Sequence, residues 1–174
     1  GQSFANYLTT HVLEPLGMND SAIGSTPEIL ENLAPAFMWT LDGDTPAPVF
    51  DLGGAPAGNI YATLSDMEKF ITALLRGGFT PDGHRIVSPK SLTEMWQVVG
   101  QRPAGYAGLQ SYGLGFGVSE IDGWLSVGHG GAVYGFASQL SVLPQAGLGV
   151  VVFSTLDCSN NVVSRLTEDL LRLS

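Results

Sequence analysis

One histidine of this chain stands inside a run of glycines at residues 128–136, which read GHGGAVYGF. Glycine carries no side-chain bulk, so a ligand can approach the backbone beside His129 closely. Backbone N–H groups at such a place can donate hydrogen bonds to an oxygen that gains negative charge during a reaction. An imidazole beside such a place is a common side chain in active sites. The run therefore predicts an oxyanion-binding site, with a tight turn that carries a solvent-facing histidine as the alternative.

The other reactive side chains suggest no second site of this strength. Cys158 is the only cysteine, so no internal disulfide and no thiolate metal cluster can form. A hydrolase that uses Cys158 as its nucleophile and His129 as its base stays open as one hypothesis. The commoner role of a free cysteine is that of a small packed side chain. The three histidines lack the i, i+4 spacing of a metal site, and we expect neither a metal nor another cofactor.

Composition and charge limit the classes of function. Hydrophobic residues make up 44% of the chain and charged residues 13%, which is typical of a globular domain. The formal net charge is -9, so a nucleic-acid partner is not expected. The longest apolar runs, such as residues 149–153, are too short for a transmembrane segment.

The first half of the chain predicts helices separated by irregular segments. A first helix is expected after the capping residue Ser3, and it ends near Gly17. Residues 19–58 contain many prolines and glycines and predict a long excursion with little regular structure. A second helix is expected to begin at a capping box formed by Ser65 and Glu68, and a third begins at Ser88.

The second half predicts strands and a final helix. From Tyr112 onward the apolar period changes to two, and Asp122-Gly123 indicates a hairpin turn. A last helix over about 161–173 is expected to cover the sheet with its apolar stripe, which consists of Val162, Leu166, Leu170 and Leu173.

The predicted fold class is therefore α+β. It comprises an antiparallel sheet of about four strands covered by a C-terminal helix, after a helical and irregular first half. Residues 1–105 form the helical, loop-rich portion in this prediction. Residues 106–174 form the sheet and the last helix.

Five blocks of the sequence, taken in order, resemble the serine β-lactamase and penicillin-binding-protein superfamily, in its branch of class C β-lactamases, esterases and D-Ala-D-Ala peptidases. The third motif of that superfamily is Lys-Thr-Gly, often His-x-Gly in the esterase-like branch, and His129-Gly130-Gly131 matches it. Asn59 departs from the pattern, where a second glycine is usual. The blocks are residues 4–18, ending HVLEPLGM, 56–63 (PAGNIYAT), 86–89 (IVSP), 112–116 (YGLGF) and 126–153.

Two motifs of the superfamily do not occur in these 174 residues. No serine is followed three residues later by lysine, the pattern that carries the nucleophile, and Tyr-x-Asn is absent. Ser159-Asn160-Asn161 fits Ser-x-Asn but follows the third motif, and we interpret it as the cap of the last helix. Both motifs lie upstream in the family. We therefore expect the chain to be a C-terminal fragment that begins after them and is inactive alone for lack of the nucleophile.

The resemblance implies a role for several residues. A serine of the missing segment would attack an acyl carbonyl and form an acyl-enzyme. His129 would orient the substrate and tune the charge of the upstream tyrosine and lysine. Ala132 would offer its N–H as half of the oxyanion hole, and Gly130, Gly131 and Tyr134 would contact the substrate.

The expected partners follow from the same resemblance. The complete enzyme would take a small acyl substrate, which could be an ester, an amide or a β-lactam. The chain itself is expected to associate with the missing N-terminal segment or with a second copy, because the cut exposes a sheet edge and an apolar face. The alternative function is a non-catalytic binding or assembly module on the same scaffold. The compartment stays open, with the periplasm or secretion favoured by the resemblance and the cytoplasm as the alternative.

Overall fold

Helices dominate the first half of the chain and long strands the second half in the computed structural model, which describes residues 1–49, 51–101 and 111–173. The α+β prediction is confirmed. The helices are α1 (Phe4–Leu8), continued by a π-helical segment (Thr9–Leu13), α2 (Glu14–Leu16), α3 (Pro27–Asn32), α4 (Ala55–Gly58), α5 (Leu64–Leu75), α6 (Pro89–Met95) and α7 (Asn160–Leu173). The strands are β1 (Ala22–Ile23), β2 (Phe37–Thr40), β3 (Gly43–Pro46), β4 (Ile60–Tyr61), β5 (Gly100–Gln101), β6 (Ser111–Tyr112), β7 (Gly117–Ile121), β8 (Trp124–Val133), β9 (Phe136–Leu143) and β10 (Leu148–Ser154).

The main sheet has six strands in the order β10-β9-β8-β7-β6-β5, and all neighbours are antiparallel. The four strands β7 to β10 correspond to the meander that the sequence predicts. The two-residue strands β5 and β6 extend it, and they are too short to show an alternating pattern. The predicted division into residues 1–105 and 106–174 stays a prediction, because the boundary falls in residues 102–110, outside the described part.

Two-residue turns set the register of β8 from both of its ends. Asp122 and Gly123 have φ of 49° and 87°, the type I′ geometry that an Asp-Gly pair favours, and they place Ile121 opposite Trp124. The turn at Tyr134 and Gly135 connects β8 to β9 and places Val133 opposite Phe136, but there only Gly135 has a positive φ, of 80°. A one-residue slip would turn every side chain of β8 to the other face of the sheet.

One face of the sheet packs against α5 and α6. Ile71 of α5 and Leu92 of α6 share a buried cluster with Val127 and Val142, which are fully buried. A Cβ at Gly149 would lie 2.4 Å from Cγ2 of Ile71, so this glycine allows α5 to approach β10 closely. The packing places β8 between a helical layer on one side and α7 on the other.

The last helix covers the opposite face, but with a different row of residues from the one expected. Val163, Thr167 and Leu171 are the buried residues of α7. Thr167 can be buried because its hydroxyl donates to the carbonyl of Val163 at 2.8 Å. The apolar stripe that was expected to face the sheet does not do so, because its residues are exposed: Val162, Leu166, Leu170 and Leu173.

Two further local expectations are corrected. Residues 19–58 are less irregular than predicted, because they form α3, α4 and the β2–β3 hairpin. The cap of α5 is Thr63, whose hydroxyl accepts from the N–H of Asp66 at 3.2 Å. Ser65 cannot be the cap, since it already lies inside the first turn of the helix.

Asp66 ties the start of α5 to the segment that follows α2. Its buried carboxylate accepts from the N–H of Asp20 at 2.9 Å, from the hydroxyl of Ser21 at 2.8 Å and from the ammonium of Lys69 at 2.7 Å. Lys69 also donates to the carbonyl of Gly17. Burial raises the pKa of Asp66, but the hydrogen bonds from Lys69, Ser21 and Asp20 outweigh it, so that the pKa is lowered.

We predict that Asp66→Asn destabilises the chain by about 2 kcal/mol at pH 7, because hydrogen bonds to a charged group are lost. The carboxylate has a lower pKa in the folded chain than in the unfolded one, so its contribution is complete above the unfolded pKa and is lost as the pH falls through the folded pKa. Urea unfolding at several pH values measures this. The exposed Glu68→Gln on the same helix is the control, and equal stabilities of the two variants at pH 7 would contradict the prediction.

Candidate active site

His129 lies in β8 on the face of the sheet that packs against α5 and α6. Side chains alternate along a strand, so His129 follows Val127 on the same face, and it is paired with Leu140 of β9. Val127 is fully buried whereas His129 is exposed, which places the imidazole where the core ends. Its ring meets the ring of Tyr112 edge to face, with centroids 6.1 Å apart and an angle of 76°.

In the described part of the chain, the backbone of β8 has an open edge beside His129. Strand β7 pairs with β8 only as far as Gly128, whereas β8 continues to Val133. The two residues that flank a two-residue hairpin turn form both backbone hydrogen bonds with each other. Along the strand, the backbone groups of successive residues then point alternately to the two neighbouring strands. Counting from both turns, Gly128, Gly130 and Ala132 direct their N–H and C=O groups toward the β7 side. Beyond Gly128, the groups of Gly130 and Ala132 therefore face the open edge.

The glycines of β8 differ in how strictly they are required. A Cβ at Gly128 would lie 2.1 Å from the carbonyl oxygen of Leu140, which belongs to the backbone and cannot turn aside. A Cβ at Gly131 would lie 2.6 Å from Oγ of Ser138, and one at Gly130 would lie 2.7 Å from Oε1 of a flexible glutamine. Packing alone thus explains Gly128, whereas Gly130 and Gly131 keep side chains away from the part of β8 that borders the open edge.

The turn after β8 rests on the base of the β2–β3 hairpin. Gly135 has a φ of 80°, and a Cβ there would lie 2.3 Å from Cβ of Ala47 and 2.8 Å from Cβ of Ala36. The N–H of Phe37 in turn donates to the carbonyl of Thr155 in the loop that leads to α7. Tyr134, at the tip of the same turn, is exposed. The hairpin therefore supports the end of β8 that carries Ala132.

Behind the strand, the first residue of α7 contacts the backbone of the glycine run. The side-chain amide of Asn160 donates from Nδ2 to the carbonyl of Gly131 at 2.8 Å. The preceding Ser159 is buried, and its carbonyl accepts from the N–H groups of Val162 and Val163 at the start of the helix. Sequence reasoning missed Asn160, because 29 residues separate it from Gly131 and no pattern connects the two.

The remaining candidates lie elsewhere. Cys158 is exposed in the β10–α7 loop, where its own N–H donates to the carboxylate of Asp157. His84 is exposed near Asp82 in a turn between α5 and α6, and the ring of His11 stacks on Tyr7. In residues 1–49, 51–101 and 111–173, no group of three or more His, Cys, Asp or Glu side chains is placed to hold a metal ion.

Asn59, which departs from the glycine usual at its position, has a structural task. It is buried; its Oδ1 accepts from the N–H of Leu52 at 2.9 Å and its Nδ2 donates to Asp51 at 3.4 Å. Asp51 also accepts from the N–H and hydroxyl of Ser25. Burial, and then the charge of Asp51, raise the pKa of Tyr61. This network joins the loop before α4 to the segment after β1.

A cavity of about 350 Å³ lies near the far end of β8 from Ala132. Trp96, on its wall, has an indole N–H that is buried and has no hydrogen-bond partner among the described residues. The cavity does not include His129. Its lining consists of Thr93, Trp96, Gln97, Leu125, Pro144 and Gln145.

Comparison with known proteins places these observations in a family. The family model described as Beta-lactamase matches residues 1–172. Penicillin-binding protein 4 of Amycolatopsis lactamdurans is 30% identical over 177 residues, which cover 99% of this chain and 45% of that protein. The chain spans less than half of the length of the curated relatives it matches.

Solved structures share the fold. The octameric penicillin-binding protein homologue from Pyrococcus abyssi superposes with a TM-score of 0.81 at 22% identity, over 98% of this chain and 37% of that chain. D-amino acid amidase from Ochrobactrum anthropi SV3, in complex with L-phenylalanine amide, gives a TM-score of 0.81 at 24% identity, over 99% of this chain and 51% of that one.

We predict that Gly128→Ala lowers the melting temperature by roughly 5–10 °C, because the added methyl group meets the backbone of Leu140 and overpacks the sheet. Gly130→Ala meets only the end of a glutamine side chain, so its melting temperature should change by less than about 2 °C. Differential scanning calorimetry of the two variants tests this contrast. Equal losses would mean that the glycine at position 128 is not required by packing.

Proposed function

The chain belongs to the beta-lactamase family, and on that premise we propose that it is the C-terminal part of a serine acyl hydrolase that works through an acyl-enzyme. The observation that supports this most directly is the open backbone edge of β8 beside His129. A carbonyl group that lies along this edge would meet backbone donors on one side and an imidazole on the other. The nucleophilic serine comes from a segment outside these 174 residues.

The mechanism assigns one task to each part of the edge. The serine attacks the substrate carbonyl, and the carbonyl oxygen gains negative charge in the tetrahedral intermediate. The N–H of Ala132 donates to that oxygen, and the N–H of the serine itself provides the second donor. His129 orients the substrate beside this donor. The intermediate then collapses to the acyl-enzyme, and the alcohol or amine that leaves takes up the proton lost by the serine. Water attacks the acyl-enzyme and releases the acid, or another acceptor takes over the acyl group.

The substrate lies against the glycines. Gly130 and Gly131 leave the edge of β8 uncovered, so that an amide or ester can approach the backbone closely. Tyr134 lies two residues after Ala132 and lines the acyl side of the site. The relatives of this chain include a penicillin-binding protein and a D-amino acid amidase, which favours a small amide, ester or β-lactam as the acyl donor.

The outer edge of the sheet is the place where the other part of the protein docks. Strand β10 is the last strand of the sheet order, and it contains no charged residue that would discourage further pairing. Arg172 of α7 points toward the β7–β8 turn, where its Nε lies 3.6 Å from Asp122. At 100° per residue, Val162, Leu166 and Leu173 then lie on the flank of α7 that is turned toward β10.

The outer edge of β10 and the flank of α7 that carries Val162, Leu166 and Leu173 together form what we call the β10–α7 surface. One further strand can pair with this edge, and one apolar helix can pack against this flank. In the complete protein the N-terminal segment covers it, and in the isolated chain a second copy does so. The homologue from Pyrococcus abyssi is octameric, which supports self-association in this fold. None of the helices in the described ranges has the length and apolar character that crossing a membrane requires.

We expect the isolated chain to form no acyl-enzyme, because the nucleophile is not part of it. Intact-mass spectrometry after incubation with p-nitrophenyl acetate or a β-lactam measures this. A stoichiometric adduct on a serine of this chain would overturn the proposed division of the active site. The complete protein, expressed with the coding sequence that precedes Gly1, should become acylated by the same reagents. Failure of that protein to react with any ester, amide or β-lactam would favour the non-catalytic module instead.

In the complete protein, His129→Ala should slow acylation about 100-fold, since a substrate that is no longer positioned correctly can react about that much more slowly. The control is His84→Ala, which removes an exposed imidazole in a turn between helices and should leave the rate unchanged. Stopped-flow absorbance with a chromogenic ester measures both rates. Equal rates for the two variants would exclude His129 from the reaction.

The isolated chain should elute above its monomer mass of 18.3 kDa in size exclusion with light scattering. Leu166→Lys places a charge on the β10–α7 surface and should shift the chain toward the monomer, because burying the ammonium is unfavourable. Asn161→Lys adds the same charge on another side of α7 and should not. A wild-type chain that stays monomeric at high concentration would contradict the docking surface.

A further inference from the structure

We propose that Asn160 is a positioning residue for the oxyanion donor: its side-chain amide holds and polarises the peptide unit between Gly131 and Ala132. This inference rests on the proposed function, in which the N–H of Ala132 donates to the reacting carbonyl oxygen. The observation that carries it is the hydrogen bond from Nδ2 of Asn160 to the carbonyl of Gly131, at 2.8 Å.

The geometry of a single peptide unit connects the two groups. The carbonyl of Gly131 and the N–H of Ala132 belong to the same planar trans peptide, so they point in opposite directions. In β8 the N–H faces the open edge, and the carbonyl faces the β9 side, where Asn160 approaches it. A donor at the carbonyl oxygen withdraws electron density from the peptide and makes the N–H a stronger donor, a cooperative effect on the order of 10–30% per bond.

The sequence around this peptide explains why it needs a restraint. Gly130 and Gly131 precede the peptide, and glycine permits more backbone conformations than any other residue. Beyond Gly128 no described strand pairs with the β7 side of β8, so that neighbour does not hold the plane of the peptide. Fixing a donor in advance is what makes oxyanion stabilisation effective, because no free energy is then lost to reorganisation during the reaction.

Asn160 is itself held in place. Ser159 is buried, and its hydroxyl donates to the carbonyl of Leu156 at 2.7 Å and contacts Oγ of Ser154 at 2.8 Å. The backbone of α7 begins directly after it, so the main chain at residue 160 is anchored on both sides. The neighbouring Asn161 is exposed. The hydrogen bond from Asn160 therefore joins α7 to β8 directly behind the proposed oxyanion donor.

The first test uses the isolated chain and does not depend on catalysis. In the uniformly ¹³C,¹⁵N-labelled chain, Asn160→Asp keeps the shape of the side chain but removes the donor. We expect the carbonyl ¹³C signal of Gly131 and the amide ¹H signal of Ala132 to move upfield, while signals elsewhere in β8 stay in place. Asn161→Asp is the matched control and should move neither signal. Unchanged Gly131 and Ala132 signals in the Asn160→Asp chain would overturn the inference, whatever the protein catalyses.

A pH titration separates donation from a merely structural role. When the new carboxyl group of the Asn160→Asp variant is protonated, near pH 4, it regains an O–H donor. Both signals should then return toward their wild-type positions. A shift that persists after protonation would show that the variant acts through altered packing and would overturn the inference.

The second test uses the complete protein. Asn160→Asp should lower kcat about tenfold with little change in KM, which is less than the 10²- to 10³-fold loss that follows removal of a whole oxyanion donor. Asn161→Asp should retain the wild-type kcat. An unchanged kcat despite the NMR shifts would overturn the positioning role. Failure of the wild-type protein to turn over any acyl substrate would refute the proposed function instead, and the NMR result would stand apart from it.

Discussion

The backbone of β8 is the feature on which the rest of this structure depends. A strand inside a sheet directs its hydrogen-bonding groups to two neighbours, but β8 extends beyond its pairing with β7, and among the described residues no strand pairs with that side from Gly130 onward. Open backbone groups are a liability in a sheet, because they invite pairing with any passing chain. Here the exposed backbone lies beside an imidazole and is bordered by glycines, and in the proposed function it receives the reacting carbonyl.

Several contacts between distant parts of the chain hold this edge in position. The turn at Gly135 rests on Ala36 and Ala47 of the hairpin base, and Asn160 reaches Gly131 from α7. On the helical side, the carboxylate of Asp66 joins α5 to the segment that follows α2. Each of these contacts uses either the absence of a side chain or a satisfied polar group.

The last helix shows where reasoning from the sequence failed. Its leucine stripe is the stronger apolar signal, yet the row that contains Thr167 is the one that faces the sheet. A threonine hydroxyl can donate to the carbonyl one turn earlier, as that of Thr167 does to Val163, and its burial then costs little. Periodicity measures only which residues share a side of a helix. Which side meets the sheet depends on where the helix is attached.

The sequence by itself determined the α+β class and the hairpin turn at Asp122 and Gly123, and it predicts His129 as the residue around which a site forms. Turn chemistry, alternation and glycine spacing are local, so a single sequence displays them. Only the tertiary structure decided that the pairing of β7 with β8 ends at Gly117 and Gly128, and that Asn160 lies behind Gly131. These facts depend on how distant segments pack together, and no local preference of the chain encodes the distance between them.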